Sequence, residues 1–238
     1  MQITPLCPRA ASEALEKLRQ LRPLVHCLTN DVVQEITANV LLAAGASPAM
    51  VVAEEEAPYF AGIAGALLVN VGTPVPERLR SMQLSAQAAR EHHVPWVLDP
   101  VAAGVIPWRD SEIRKLIALH PTVIRGNASE ILALQGAGKG GKGVDSTDSS
   151  ASAVNAAVEL SRSTGSVVCV TGETDYATDG ERILSVSGGN VMTTLVVGTG
   201  CSLSALTAAF CAAEKDPVTA AISACALAKR AAFIAGKH

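Results

Sequence analysis

Residues 95–127 read PWVLDPVAAGVIPWRDSEIRKLIALHPTVIRGN and contain two short apolar runs separated by a segment of helical length. Pro95–Leu98 and Thr122–Ile124 are short apolar runs that predict buried strands, and Asp110–Leu119 between them has the length and composition of a helix. A strand, a helix and a second strand in this order are typical of a βαβ unit, in which the two strands are parallel. The sequence therefore predicts an α/β fold.

The same alternation of strands and helices extends to both sides of this unit. Strands are also predicted at Leu24–Leu28, Ala66–Val71, Ser166–Val170, Tyr176–Thr178 and Arg182–Val186. The remaining predicted helices are Ala11–Leu21, Val32–Ala44, Pro76–Glu91, Ala128–Leu134, Ser149–Arg162, Cys201–Ala213 and Pro217–Ala235. Asp179-Gly180 between the last two strands is a tight-turn signal. We expect a mostly parallel central sheet, flanked by helices and with an antiparallel edge, in one domain spanning residues 1–238.

The composition excludes several classes of protein. Hydrophobic residues make up 49% of the 238 residues and charged residues 17%, whereas disordered chains are poor in apolar residues and rich in charge. Aromatic residues make up only 3%, too few for the stacking platforms that bind single-stranded nucleic acid. The formal net charge of -3 also disfavours a polyanionic partner, so no nucleic acid is expected.

The sequence also favours a cytoplasmic protein over a membrane or secreted one. No apolar stretch reaches the roughly 18 residues of a membrane span without a charged or strongly polar interruption, so no membrane is expected. Met1–Pro8 lacks the basic start of a signal peptide, and charged residues follow it in place of an apolar segment. The 6 cysteines form no C-x-x-C pair, which argues against a zinc ribbon or a redox dithiol.

Polar residues follow several of the predicted strands. They are Thr29–Asp31, Gly72–Thr73, Asp99–Pro100, Arg125–Asn127 and Thr171–Glu173. In an open α/β sheet, ligands bind at the carboxyl ends of the strands, where such residues come together. One of them alone would more often be a helix N-cap than a ligand contact, but the whole set at one sheet edge predicts a binding site.

The strongest single motif is Gly198-Thr199-Gly200-Cys201, which follows an apolar pair and opens a helix of small residues. Glycines allow backbone N–H groups to approach an anion, and a helix N-terminus carries roughly half a positive charge. The motif therefore predicts a phosphate-binding site, with an ordinary tight turn as the alternative. It is not a dinucleotide fingerprint, because Leu203 stands where that motif has its third glycine.

A second glycine-rich stretch, Gly136–Gly143, fits a phosphate-binding P-loop poorly. Gly143 stands where the P-loop has the Ser or Thr that holds magnesium, and the stretch follows a predicted helix instead of a strand. We expect a loop without that function.

Cys201 is a candidate nucleophile, because a helix N-terminus lowers the pKa of a thiol. Of the 5 histidines, only His26 lies near the predicted site, which leaves a Cys–His pair as an alternative. A role beside a bound phosphate, in placing or deprotonating a hydroxyl, is favoured over covalent catalysis.

Six segments occur together, in an order that is specific to one family. They are Val25–Val33, Gly45–Met50, Leu98–Val101, Arg125–Glu130, Val170–Glu173 and Gly198–Cys201. Together they resemble the hydroxyethylthiazole kinase family, over almost the whole chain. The resemblance implies a ribokinase-like fold, usually a homotrimer with active sites between subunits, and phosphorylation of 4-methyl-5-(2-hydroxyethyl)thiazole with ATP and Mg²⁺. The product of that reaction enters thiamine biosynthesis by salvage.

The resemblance also implies roles for individual residues. It places Met50 in the thiazole pocket, with its backbone amide facing the substrate. Asn30 is then a neighbour of the substrate, and Gly198 contacts it. Arg125 and Thr171 match ATP-binding positions of the family.

The acidic and catalytic positions follow from the same resemblance. Asp99 and Glu130 match acidic positions near the magnesium ion and the phosphates, and Gly200 matches a position in the anion hole. Cys201 occupies the place at which the wider ribokinase-like group has its aspartate base. Because an ordinary thiol is a mediocre base for an alcohol, Cys201 is expected to orient the hydroxyl more than to deprotonate it. A Cys201-dependent transferase or hydrolase, and a non-catalytic nucleotide-binding protein, are the alternatives to a kinase.

Overall fold

One sheet forms the centre of the structure, a computed structural model that describes residues 1–136 and 150–237. Its strands in the described part are β1 (Ile3–Pro5), β2 (Leu24–Leu28), β3 (Ser47–Ala49), β4 (Ala66–Asn70), β5 (Trp96–Asp99), β6 (Val123–Asn127), β7 (Val167–Thr171), β8 (Thr174–Thr178) and β9 (Ile183–Ser187). The order across the sheet is β1-β9-β8-β7-β6-β5-β4-β2-β3.

The sheet is parallel except around β8, which is antiparallel to both β7 and β9. The predicted turn joins β8 to β9, and Gly180 in that turn has a φ of 87°, a conformation that suits glycine. The short strand β1 lies outside this hairpin and pairs in parallel with β9. The predicted mostly parallel sheet with an antiparallel edge is confirmed.

Helices cover both faces of the sheet. They are α1 (Pro8–Leu21), α2 (Gln34–Ala44), α3 (Ala57–Ile63), α4 (Pro76–Glu91), α5 (Pro107–Ile117), α6 (Ala128–Gln135), α7 (Val154–Thr164), α8 (Thr199–Ala213) and α9 (Pro217–Ala235), with a 3₁₀ helix at Val191–Leu195. Helices α1, α2, α8 and α9 share one hydrophobic cluster with the sheet, and α3 to α7 share another. The protein is thus a three-layer α/β/α structure.

Successive strand residues face the two helical layers in turn. In β5, Val97 packs on the α8 side, whereas Trp96 and Leu98 pack on the opposite side. Side chains alternate along a strand, and because both faces are covered here, the three residues before Asp99 are all apolar. Full burial of each such side chain contributes roughly 1.5–3 kcal/mol. This double burial explains why short apolar runs were enough to predict the central strands.

Several short elements were not predicted. Strands β1 and β3 have only 3 residues each and contain proline, and neither is an apolar run. Helix α3 has 7 residues, among them Pro58 and Gly62, so it lacks a helical pattern. The helix predicted at Ser149–Arg162 begins at Val154 instead, and Ser149 lies outside the described residues.

Within the part of the chain that the structure describes, α9 alone is long and apolar enough to cross a membrane. Buried core helices of globular proteins can have the same length and composition. The first half of α9 is buried in the core, including Val218, Ile222 and Cys225. Lys229 and Arg230 interrupt its second half. We therefore interpret α9 as a core helix.

Candidate active site

The carboxyl ends of β2, β4, β5, β6 and β7 lie side by side, because these strands are neighbours and parallel. Asn70 and Asp99 are the last residues of β4 and β5, and Thr171 ends β7. Asn30 follows β2. The first turn of α8 lies at the same edge, where the guanidinium of Arg125 contacts it.

Asn30 and Asn70 connect Cys201 to the sheet. Asn30 Nδ2 donates hydrogen bonds to Asn70 Oδ1 at 2.9 Å and to Cys201 Sγ at 3.5 Å. Asn70 Nδ2 in turn donates to Asp99 Oδ2 at 2.7 Å, and the N–H of Gly72 donates to Asn70 Oδ1 at 3.0 Å. Both asparagines and Asp99 are buried, so these bonds fix the orientation of each side chain.

Arg125 organises the other side of the site and is only 8% exposed. Its Nη1 donates to the carbonyl of Gly200 at 3.0 Å and to Ser204 Oγ at 3.5 Å, and its Nη2 donates to Thr171 Oγ1 at 2.5 Å. Ser204 Oγ donates to Asp99 Oδ2 at 2.8 Å and so joins the two sides. We call this connected set the polar chain; its members are Cys201, Asn30, Asn70, Asp99, Ser204, Arg125 and Thr171.

Glu130 lies in the first turn of α6 and has a structural role there. Its Oε2 accepts the N–H of Asn127 at 2.8 Å while the Asn127 side chain accepts the N–H of Glu130, which is a capping box. Its Oε1 accepts the N–H of Ala102 at 2.9 Å. Burial, reinforced by the Asp99 carboxylate, raises the pKa of Glu130 to about 7.

The buried part of the site contains more acidic groups than basic ones. Burial raises the pKa of Asp99, although Arg125 opposes that shift. Burial is the largest single effect on Arg125 and works against its charged form, but the combined Coulombic attraction of Asp99, Glu130, Cys169 and Cys225 outweighs it, so the pKa of Arg125 is raised. One guanidinium therefore faces two buried carboxylates, those of Asp99 and Glu130.

The pKa of the Cys201 thiol is shifted in the opposite direction from the one that its place at a helix N-terminus predicts. Burial, together with the Asp99 carboxylate, raises the pKa of its thiol to about 11. The predicted lowering is wrong, because loss of solvation and a negative neighbour outweigh the helix dipole. The ring of His26 bonds to the carbonyl of Val51 through Nε2 and packs edge-on against Phe60, and in the described chain it makes no hydrogen bond to Cys201. No Cys–His pair is therefore formed between them.

Two glycines lie where α8 begins, and Gly198 is the one that the backbone requires. Gly198 precedes the helix with a φ of 90°, and a Cβ there would lie 2.7 Å from Cγ2 of Ile36. A Cβ at Gly200 would lie 3.3 Å from Nη1 of Arg125. Gly198 therefore lets the backbone lie close to α2, and Gly200 leaves room for the guanidinium of Arg125.

Met50 lies apart from the polar chain. It directly follows β3 at the edge of the sheet and is partly buried against the hydrophobic cluster on the α8 side. Its side chain takes no part in the hydrogen bonds described above.

Comparison with known proteins decides the family. The sequence profile of the Hydroxyethylthiazole kinase family matches residues 15–238. The chain belongs to the hydroxyethylthiazole kinase family. The predicted family is thereby confirmed, and the protein is a kinase and not a thiol-dependent hydrolase.

Individual relatives agree with this kinase over most of their length. The hydroxyethylthiazole kinase of Escherichia coli O81 is 52% identical over 97% of this chain and 88% of its own. That of Klebsiella pneumoniae subsp. pneumoniae is 53% identical over 98% of this chain and 91% of its own. The structure of the hydroxyethylthiazole kinase protein from Pyrococcus horikoshii OT3 superimposes with a TM-score of 0.82 at 38% identity, over 91% of this chain and 81% of that one.

A more distant structure shows the wider fold. A ribokinase-like superfamily protein from Enterococcus faecalis has a TM-score of 0.64 at 13% identity, over 99% of this chain and 89% of that one. The kinase therefore has the ribokinase-like fold that the resemblance predicted.

The glycine-rich stretch Gly136–Gly143 does follow a helix, since α6 ends at Gln135 and Gly136 has a φ of 81°. The rest of that stretch lies outside the described residues. That this stretch is a loop without phosphate-binding function stays a prediction from the sequence.

Asn70 and Ser204 are members of the polar chain that sequence reasoning missed. Asn70 was visible only as a polar interruption of an apolar strand, and that interruption at a strand end was the available signal. Ser204 gave no signal, because it lies among small residues in α8.

Replacing Asn70 by alanine is expected to lower both stability and turnover of the kinase. The substitution leaves the amide of Asn30 and the carboxylate of Asp99 without a shared partner, at a cost of about 3 kcal/mol in the free energy of unfolding. Misplacement of the reacting groups should reduce kcat about 10- to 100-fold. Urea denaturation and ADP release measure the two effects, and Asn155→Ala, an exposed position on α7, serves as the control. Wild-type kcat in the Asn70 variant would show that the polar chain has no catalytic role.

Proposed function

We propose that this kinase transfers the γ-phosphoryl group of ATP to the hydroxyl of 4-methyl-5-(2-hydroxyethyl)thiazole. The polar chain carries the proposal, because it links a thiol on one side to a guanidinium on the other across the N-terminus of α8. Phosphoryl transfer depends mainly on holding two substrates in line and neutralising charge, and such a fixed arrangement suits both tasks. Relatives more than 50% identical bear the name hydroxyethylthiazole kinase.

We assign the acceptor alcohol to the Cys201 side. Asn30 is held by Asn70 and points its amide at Cys201 Sγ, so it is suited to contact a substrate at that place. Met50 lies in the thiazole pocket with its backbone amide facing the substrate, and Gly198 contacts the substrate. The thiol, with a pKa of about 11, acts here as a neutral group that orients the hydroxyl.

We assign ATP to the Arg125 side. The guanidinium of Arg125 can exchange its bonds to Thr171 Oγ1 and to the Gly200 carbonyl for bonds to phosphate oxygens. Guanidinium groups bind phosphate in a bidentate manner, and Thr171 adds a hydroxyl donor. Gly200 belongs to the anion hole, where backbone N–H groups of the first turn of α8 are suited to hold negative charge.

We propose Mg²⁺ as the cofactor, held near Asp99 and Glu130. Asp99 and Glu130 are two buried carboxyl groups with one guanidinium beside them, so a divalent cation near them would compensate the charge of their ionised forms. In the described part of the chain, no cluster of three or more His, Cys, Asp or Glu residues is arranged as a metal site. The remaining ligands would come from ATP phosphates and water, as is usual for Mg²⁺. When bound, the ion neutralises charge on the phosphates.

We further propose that the kinase is a homotrimer with active sites between subunits. Val191, Leu195 and Val197 are exposed apolar side chains in the segment that leads into Gly198, and Val32 beside the acceptor side is also exposed. Contiguous exposed apolar residues mark interaction sites. Their position next to the proposed substrate site supports an interface that completes it.

The expected assembly is a trimer that persists at micromolar concentration in sedimentation velocity. A charge at an exposed position of the interface, Val191→Glu, should shift the protein towards monomer and reduce activity in parallel. Ile63→Glu, at an exposed apolar position on α3, should do neither. A monomer with full activity would contradict the shared site.

The proposed setting of the reaction is thiamine salvage in the cytoplasm. All of the cysteines lie in the described residues and are free. The buried sulfurs of Cys169 and Cys225 lie 3.6 Å apart, within hydrogen-bond distance and without a disulfide bond. Free neighbouring thiols support a reducing compartment.

The decisive experiment is an ADP-release assay with millimolar hydroxyethylthiazole, ATP and Mg²⁺. We expect ADP only when thiazole alcohol and magnesium are both present, and none with 5-ethyl-4-methylthiazole, which lacks the hydroxyl. Binding of ATP without turnover would favour the non-catalytic alternative. No ADP above background with the alcohol would refute the proposed function.

A further inference from the structure

Lys229 of α9 lies beside the turn between β7 and β8 and is surrounded by oxygen atoms. Its Nζ donates to the carbonyls of Gly172 and Glu173 at 2.9 Å each, and to that of Gly188 at 3.4 Å. The carboxylate of Asp175 lies 3.4 Å away, and the lysine side chain is only 13% exposed. The ammonium group therefore bridges α9, the β7–β8 turn and the segment after β9.

Further hydrogen bonds, from residues other than Lys229, also fix the β7–β8 turn. Asp175 Oδ1 accepts the N–H of Gly172 at 2.9 Å, which closes the turn. Ser150 Oγ donates to the carbonyl of Thr174 at 2.5 Å, and a Cβ at Gly172 would approach that hydroxyl to 2.9 Å. The turn thus has little room to shift while Lys229 holds its two carbonyls.

This turn begins directly after Thr171, which links it to the site. Thr171 Oγ1 accepts a hydrogen bond from Arg125 and lies 3.4 Å from the carbonyl of Gly126. A movement of Gly172 and Glu173 would therefore displace the hydroxyl against which the guanidinium is aligned.

We infer that Lys229 is a positioning residue for the nucleotide side of the site. Its ammonium group holds the β7–β8 turn so that Thr171 and Arg125 are aligned for the phosphates of ATP. The inference rests on the proposed function, which assigns Thr171 and Arg125 to ATP. Lys229 itself contacts neither the acceptor side nor any member of the polar chain in the described structure.

The charge of Lys229 is what this role requires, and not merely the bulk of its side chain. Lysine packs its methylene stem along apolar surface wherever it is partly buried, and methionine would replace that packing. Methionine cannot donate to carbonyl oxygens. Lys229→Met therefore separates the bonds to the turn from the packing of α9.

The test compares Lys229→Met with wild type and with Arg230→Met, an exposed neighbour on the same helix. We expect the KM for ATP, and the Kd of a non-hydrolysable ATP analogue in calorimetry, to rise about tenfold in the Lys229 variant, because several charge-assisted hydrogen bonds are lost. The KM for the thiazole alcohol should change less than about twofold. Unchanged nucleotide affinity, or equal loss for both substrates, would overturn the inference.

Chemical rescue provides a second readout that a purely structural role would not move. Lys229→Ala leaves space for a small amine, so propylammonium should restore part of the ATP affinity while neutral propan-1-ol should not. Failure of both variants to fold would also overturn the inference, since the assigned role is positioning and not maintenance of the fold. Absence of ADP release by wild type would instead reject the proposed function. If wild type is active and Lys229→Met has an unchanged affinity for ATP, only this inference is rejected.

Discussion

Arg125→Ala is expected to lower kcat/KM for ATP about a thousandfold while the folded protein still binds the thiazole alcohol. The guanidinium is the one cation in the polar chain, and it is aligned by Thr171 and Gly200 for an anion. Loss of a preorganised donor to developing charge typically costs 10²–10³-fold, and loss of the phosphate contact adds to that.

The same substitution should destabilise the protein. It leaves the buried carboxylates of Asp99 and Glu130 without their positive neighbour, and removal of one partner of a buried pair costs about 3–5 kcal/mol. Arg125→Lys keeps the positive charge but loses the planar, bidentate donor geometry of the guanidinium. Compared with Arg125→Ala, it should therefore recover stability better than it recovers ATP affinity. Calorimetry with each ligand checks the assignment: equal weakening of ATP and alcohol would count against Arg125 as a nucleotide residue.

Cys201→Ala is expected to reduce turnover by about 10²–10⁴-fold or less, and not to abolish it. With a pKa of about 11, the fraction of thiolate at neutral pH is on the order of one in ten thousand. The thiol therefore orients the hydroxyl or assists its deprotonation only weakly, and such assistance is typically worth no more than this range. A covalent nucleophile would show a complete loss, since the attacking atom is removed.

Cys201→Asp should retain more activity than Cys201→Ala, because a carboxylate accepts the alcohol proton and the amides of Asn30 and Asn70 can bond to it. Alkylation of Cys201 by iodoacetamide should be slow at pH 7 and accelerate towards pH 11, with exposed Cys7 as the internal reference in peptide mapping. A folded but inactive Asp variant that binds ATP would disprove this role. So would a phosphoryl or acyl adduct on Cys201 during turnover.

The central strands were predictable because strands buried on both faces appear in the sequence as short continuous apolar runs. Leu24–Leu28 and Pro76–Glu91 were predicted with the bounds they have in the structure. The edge strands β1 and β3 were not predictable, because a short edge strand with a proline and exposed or partly exposed residues needs neither apolar composition nor alternation.

The candidate site was predictable where a polar residue follows an apolar strand, as Asp99 and Thr171 do. Its electrostatics were not. The pKa of Cys201 depends first on burial and then on the carboxylate of Asp99, which is distant in the sequence and close only in the fold. The local motif indicates only the helix dipole at position 201, which lowers the pKa of a thiol. It does not indicate the burial that raises this pKa by more.

The separation of Met50 from the polar chain affects how this enzyme can change over evolution. Members of the polar chain depend on one another, so substitutions among them should be strongly non-additive and rarely tolerated singly. Met50 follows a strand of 3 residues at the edge of the sheet, paired only with β2 among the described strands. With Met50 in the thiazole pocket, as proposed, mutations around β3 can alter the range of accepted alcohols without disturbing the machinery of phosphoryl transfer. New substrate preferences in this scaffold should therefore arise first at β3.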